Sequence, residues 1–136
     1  MLAKIKFTRN LDQVVKKIDD MAAQRMAETC LHVQNKTKEK LSGNRTGRTY
    51  RVPGTNRTYT ASAPGEPPAQ MHGQLRNSIQ FRVKGGRTVS GEVGSGLKKA
   101  PMLEFGTRKM AARPFLRPTF QEELPEIKNI LSRRWF

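Results

Sequence analysis

Cysteine, histidine and acidic residues are all scarce in this chain, and long apolar runs are missing. With Cys30 as the single cysteine, no disulfide can close within the chain. Packing must supply the stability, and 136 residues suffice, since a domain of this size buries roughly two-thirds of the surface its unfolded chain exposes. Cys30 itself reads as a small buried apolar residue of a helix. His32 and His72 fall in different elements, and His32 stands two positions from Cys30 on one helix, where the two side chains diverge. Neither a zinc set nor a Cys–His dyad follows from that spacing, so no metal, cofactor or catalytic group is expected. No stretch approaches the roughly 20 apolar residues of a membrane span, and MLAKIKFTRN at the start lacks the apolar segment of a secretory signal. Cytoplasmic synthesis is expected, and the Asn-x-Thr triplets beginning at Asn35, Asn44 and Asn56 are then chance matches. Acidic residues number 11 against 26 Lys and Arg, a formal charge of +15. Such an excess suits nucleic acid, an acidic protein face or a membrane surface.

What is present organises into a few segments of one domain, residues 1–136. Ile5 and Phe7 alternate with lysines in Lys4–Thr8, a short strand pattern. Asn10 and Gln13 have the spacing of a reciprocal helix cap. From Leu11 the apolar positions Val14, Val15, Ile18, Met21, Ala22, Met26, Cys30, Val33 and Leu41 step by threes and fours, with no proline or glycine before Gly43. A helix over 11–42 is predicted. Its roughly 48 Å at a rise of about 1.5 Å per residue exceeds the diameter of about 35 to 40 Å expected for a chain this size. The stripe thins past Val33, so the distal part is predicted to bend, fray or rest on another subunit.

Residues 43–74 lose periodicity, gain glycine and proline, and contain one acid, Glu66. They predict an extended basic loop of the length that is usually functional or disordered. Within it Arg45, Arg48, Arg51 and Arg57 alternate with Tyr50 and Tyr59. Residues 75–95 predict a β-hairpin, with Gly85 and Gly86 as a two-residue turn. Leu116, Phe120, Leu124, Ile127 and Leu131 form a helical face in a C-terminal helix region over 114–133. Thr119 and Glu122 offer a cap, Pro125 a kink or restart, and Arg133 and Arg134 suit the helix dipole. The class is α+β, with long N-terminal and C-terminal helices packed on a small antiparallel sheet containing a hairpin.

Chemistry is harder to find. Asp19 and Asp20 read as a solvated helix face. GEVGSG, residues 91–96, lacks the Lys and Ser or Thr of a P-loop and reads as a strand end with a turn. Glu104, between Leu103 and Phe105, reads as an ion-pair partner for Arg108 or Arg113. The arginines of the loop could contact phosphates and its tyrosines could stack on bases. No motif of defined docking geometry accompanies them, and an acidic protein surface satisfies the same groups.

The order of motifs resembles a known family. A long helix and a basic loop ending in ASAPGEPPAQ lead to GQLRNSI, a VGS strand end, LEFGT, and ARPFLRP entering the last helix. This pattern is similar to the neck and tail-completion proteins of long-tailed, non-contractile bacteriophages. Met71, His72, Gln74 and the stretch Lys98–Ala100 depart from that pattern. The resemblance implies a non-enzymatic virion protein, forming a ring at the junction between tail and DNA-filled head. Its implied partners are further copies of itself, adjacent head-completion and tail proteins, and genome DNA in the channel. Arg45, Arg48, Arg51, Arg57, Tyr50 and Tyr59 would then face the lumen, DNA or an acidic neighbour. Leu103, Glu104, Phe105, Gly106, Thr107, Arg113, Pro114, Phe115, Leu116, Arg117 and Pro118 would make a corner and subunit interface. In that corner Leu103 and Phe105 anchor to the sheet and Gly106 turns the chain. Arg108, Lys109, Arg113 and Arg117 meet a neighbour or Glu104. The alternative reading is a stand-alone basic nucleic-acid-binding protein using the Arg/Tyr loop.

Overall fold

A run of 31 residues without glycine or proline gives one uninterrupted helix, α1, Leu11–Leu41. The computed structural model describes residues 3–4 and 10–134. The strand expected over 4–8 therefore lies outside the described residues, apart from Lys4. After α1 come β1, Thr49–Arg51, and β2, Thr58–Thr60, then α2, Gln74–Ser78, and β3, Ile79–Lys84. The chain continues through β4, Ser90–Ser95, α3, Lys99–Phe105, α4, Leu116–Glu122, and α5, Leu124–Ser132. Among the described residues β1 pairs antiparallel with β2, and β3 with β4, as two separate two-stranded sheets. The architecture is α+β, as the periodicities predict.

α1 lies across β3 and β4, with α4 and α5 alongside it. Leu41, Ile79, Ala100 and Phe115 form the buried centre, and Leu75, Val93, Leu97, Leu103 and Leu116 pack around them. Cys30 and Val33 of α1 and Ile127 and Ile130 of α5 are also buried. Thr29, Thr37 and Thr119 are buried polar residues, and each hydroxyl donates to the carbonyl four residues back. That bond lets a threonine enter a helical core without an orphaned hydroxyl.

The overhang of α1 is at the opposite end from the one predicted. Residues 11–20 are exposed throughout, whereas Val33, Thr37 and Leu41 are buried. Sequence thinning misleads here because Thr37 is as buried as any apolar side chain once its hydroxyl is satisfied. Asn10 makes no side-chain cap bond, and Thr119 sits inside α4 instead of capping it. Pro125 marks a restart, since it occupies the first turn of α5 after a break at Glu123, where its missing N–H costs no helical bond.

The second hairpin has a five-residue turn, not the two-residue one. Lys84 pairs with Ser90 and Phe81 with Val93. Closing on Gly85 and Gly86 alone would set Phe81 opposite Ser90, so apolar pairing across the strands selects the longer turn. Within residues 43–74 the structure finds order that periodicity does not reveal. The β1–β2 hairpin closes at Val52–Thr55, where Thr55 N donates to Val52 O at 3.2 Å. Pro53 and Gly54, with φ +74° at the glycine, give the type II turn for which Pro-Gly is suited.

Candidate functional site

Two regions gather the residues that sequence reasoning singled out. The first is the β1–β2 hairpin. Tyr50 and Tyr59 are cross-strand partners, and their rings stack at 5.8 Å with an interplanar angle of 29°. The tyrosines thus stabilise the hairpin through one another. Arg51 folds over the turn, its Nε 3.2 Å from Thr55 O and its Nη2 2.6 Å from Asn56 Oδ1. Arg48 and Arg57 are exposed. Among the described residues, none of Arg48, Arg51 and Arg57 forms an ion pair.

Arg45 does something different. Its Nη2 donates to Lys40 O at 2.7 Å and to Pro68 O at 3.1 Å, and its Nε reaches Pro68 O at 3.3 Å. The guanidinium thereby covers the negative end of α1 and ties the far end of the loop to it. Burial draws its pKa below the ordinary arginine range, while the Glu66 charge opposes that shift. Glu66 is the second clasp: its carboxylate accepts from the Thr46 hydroxyl and from the amides of Thr46 and Ala63. Those bonds hold its pKa below the usual carboxylate range. The loop is pinned at its base by Arg45 and Glu66, and presents Arg48, Arg51 and Arg57 beyond.

The second region is the corner around α3 and α4. Glu104 accepts from the amides of Phe115 at 2.8 Å, Leu116 at 3.1 Å and Arg117 at 2.8 Å. These are orphan donors at the start of α4, and a carboxylate there also suits the helix dipole. The expected ion pair with Arg108 or Arg113 is replaced by this cap, because three converging N–H groups satisfy the carboxylate fully. Arg113 turns the other way and donates through Nη1 to the carbonyl and hydroxyl of Ser62. Its backbone N–H bonds Leu103 O at 2.6 Å, and Gly65 N bonds Ala112 O at 3.2 Å. ASAPG, LEFG and ARPFLRP are thus stitched into one corner.

Gly106 makes that corner possible. At φ 77° and ψ 175° it occupies a region essentially reserved for glycine, and a Cβ there would sit 2.8 Å from Ala112 N. Thr107 then bridges to Met110. Phe115 is fully buried, and Leu103 and Leu116 pack on the same centre. Pro114 and Pro118 are half-buried, and Thr107, Arg108, Lys109 and Arg117 are exposed. Phe105 is the correction: instead of anchoring to the sheet, it ends α3 with 76% of its surface exposed, beside a half-exposed Met102. Two residues past Leu103, which packs on the core, it lies about 200° further around the helix and points off the opposite face.

A family model described as "Bacteriophage HK97-gp10, putative tail-component" matches residues 5–106. The chain belongs to this family. As an HK97-gp10-like protein it is a structural component of the phage tail, and so of the virion. The matched span takes in α1, the basic hairpin and LEFG, and stops before ARPFLRP. No curated protein and no solved structure matches the chain.

Other features of this HK97-gp10-like chain were less legible. Arg25 donates to Ile130 O at 3.1 Å and Arg134 O at 3.0 Å, closing the end of α5 that Arg133 and Arg134 were predicted to serve. Arg133 instead pairs with Glu28 at 2.7 Å. No spacing rule links residues 105 or 109 positions apart. His32 lies 2.7 Å from Glu123, and among the described residues no group of three His, Cys, Asp or Glu could hold a metal ion. No described helix is long and apolar enough to cross a membrane.

Proposed function

We propose that the protein assembles as a ring at the head–tail junction, completing the tail and joining it to the DNA-filled head. Its role is architectural, carried by surfaces and not by a reaction. The observation that supports this reading is the basic hairpin: among the described residues its three exposed guanidinium groups have no acidic partner and its strands pair only with each other, and its base is pinned. Such a projection suits a channel through which DNA passes, or an acidic face of a neighbouring tail or head-completion protein. The exposed Phe105 and Met102 at the α3–α4 corner supply apolar contact for a second neighbour. Electron microscopy of particles assembled without the protein tests the reading. Full heads beside finished, unattached tails are the expected image. Normally joined particles would refute it.

A further inference from the structure

The overhanging end of α1 carries an apolar stripe that no other described residue covers. Leu11, Val14, Val15 and Ile18 are 60%, 51%, 54% and 39% exposed, and their steps of i, i+3, i+4 and i+7 place them on one helical face. This is the anchor spacing by which a helix lies in a hydrophobic groove. The same chain has such a groove. A cleft of about 580 Å³ opens between α1, β4 and the C-terminal helices, lined by Met26, Cys30, Val33, Val93, Phe120 and Leu131 among others. Phe120 stands half-exposed at its rim.

The stripe cannot fold back into its own groove. Both lie on α1, and the eight residues from Ile18 to Met26 span about 12 Å of unbroken rod. Charge favours the meeting of two copies. Residues 11–20 hold Asp12, Asp19 and Asp20 against Lys16 and Lys17, a net −1 (2 − 3) in a chain of +15. Asp12 and Asp19 flank the stripe on one side, and the exposed Arg117 lines the groove. Among the described residues, none of these three forms an ion pair.

We infer that the first three turns of α1 seat in the α1–β4–α4 groove of a second copy of this chain. Stripe and groove are different surfaces, so the contact is heterologous and propagates from copy to copy until it closes. The inference rests on the ring reading and supplies its contact.

The full-length chain tests it. Val15→Cys and Ser90→Cys are combined, a short bismaleimide is added, and products are resolved on a denaturing gel, with wild type as control for Cys30. A ladder through dimers, trimers and higher species is expected. Dimers alone indicate a symmetric contact, and a link within single chains indicates that the protein's own residues fill the groove; either overturns the seating, as does no link. In parallel, native mass spectrometry compares wild type with Ile18→Asp, whose side chain is exposed in the single copy, so that the melting temperature holds. Self-association should weaken at least about tenfold. Rings forming at unchanged concentration in Ile18→Asp overturn the seating and leave the ring reading intact. A wild-type chain still monomeric at about 1 mM also overturns the seating, and the particle images alone then decide the ring.

Discussion

The Glu104 carboxylate accepts the backbone N–H of Phe115 at 2.8 Å, so an acid at the end of one short helix caps the start of the next. The bond explains how LEFGT and ARPFLRP depend on one another across the intervening turn. Glu104→Ala strands three amides and is expected to cost about 1–2 kcal/mol, read as a lowered denaturation midpoint at unchanged slope. Glu104→Gln keeps an acceptor and should recover part of the loss. Equal effects for the two variants would argue against the cap.

Two glycines should respond to alanine for different reasons. Gly106→Ala forces a side chain into a backbone region it avoids, at about 1–3 kcal/mol, besides crowding Ala112. Gly91→Ala leaves its backbone comfortable but drives a methyl into Cys30 Sγ and to within 2.9 Å of Met26 Cγ, separating β4 from α1. At Gly106 the crowding atoms are backbone, whereas at Gly91 the nearest is the Cys30 side chain, so a smaller residue at position 30 can rescue only the second. Thermal melts of Gly91→Ala with and without Cys30→Ala will show whether rescue occurs.

Much of this was legible in the residues. The uninterrupted α1 follows from its stripe and from the absence of breakers, and the β3–β4 hairpin from alternation around Phe81 and Val93. The Pro-Gly of the first hairpin was also readable, but its strands are only three residues each and fully polar or aromatic, too short for alternation to register. What sequence does not carry is the meeting of distant groups. Arg25 with the end of α5, Arg113 with Ser62, and Glu104 with the amides of α4 are set by packing, and a charge count treats all of them as surface. The direction of the overhang was lost for a related reason: a buried threonine and an exposed valine each look like the opposite.

The four loop arginines should separate under mutation. Arg48→Ser, Arg51→Ser and Arg57→Ser together are expected to shift the melting temperature little, since exposed substitutions cost within about 0.5 kcal/mol each. Head–tail joining should suffer instead. Arg45→Ser removes the tie between α1 and Pro68 and should destabilise by about 1–3 kcal/mol. If duplex DNA contacts the hairpin, the triple variant also lowers the log–log salt slope of binding by roughly 2.5–3. A slope that stays put assigns the hairpin to an acidic protein face.

Glu66 makes the base of that loop sensitive to acid. Its folded pKa is depressed, first by the Thr46 hydroxyl and then by the backbone amides of Ala63 and Thr46. Its contribution is therefore complete above the ordinary glutamate range of about 4.3 and is lost as pH falls through the lower folded value. A carboxyl-carbon NMR titration should place Glu66 below that range, with Thr46 and Ala63 amides shifting in step. In Glu66→Gln those amide shifts should be absent.

The closeness of Gly91 to Cys30 has a practical corollary. The only thiol in the protein is buried in the wall of the groove against a strand that has no side chain of its own there, and burial pushes its pKa up. Both effects slow alkylation, which requires an accessible thiolate. Labelling of Cys30 thus clocks the parting of α1 from β4, a built-in gauge of local opening that needs no engineered probe and can be read in the isolated chain or in the finished particle.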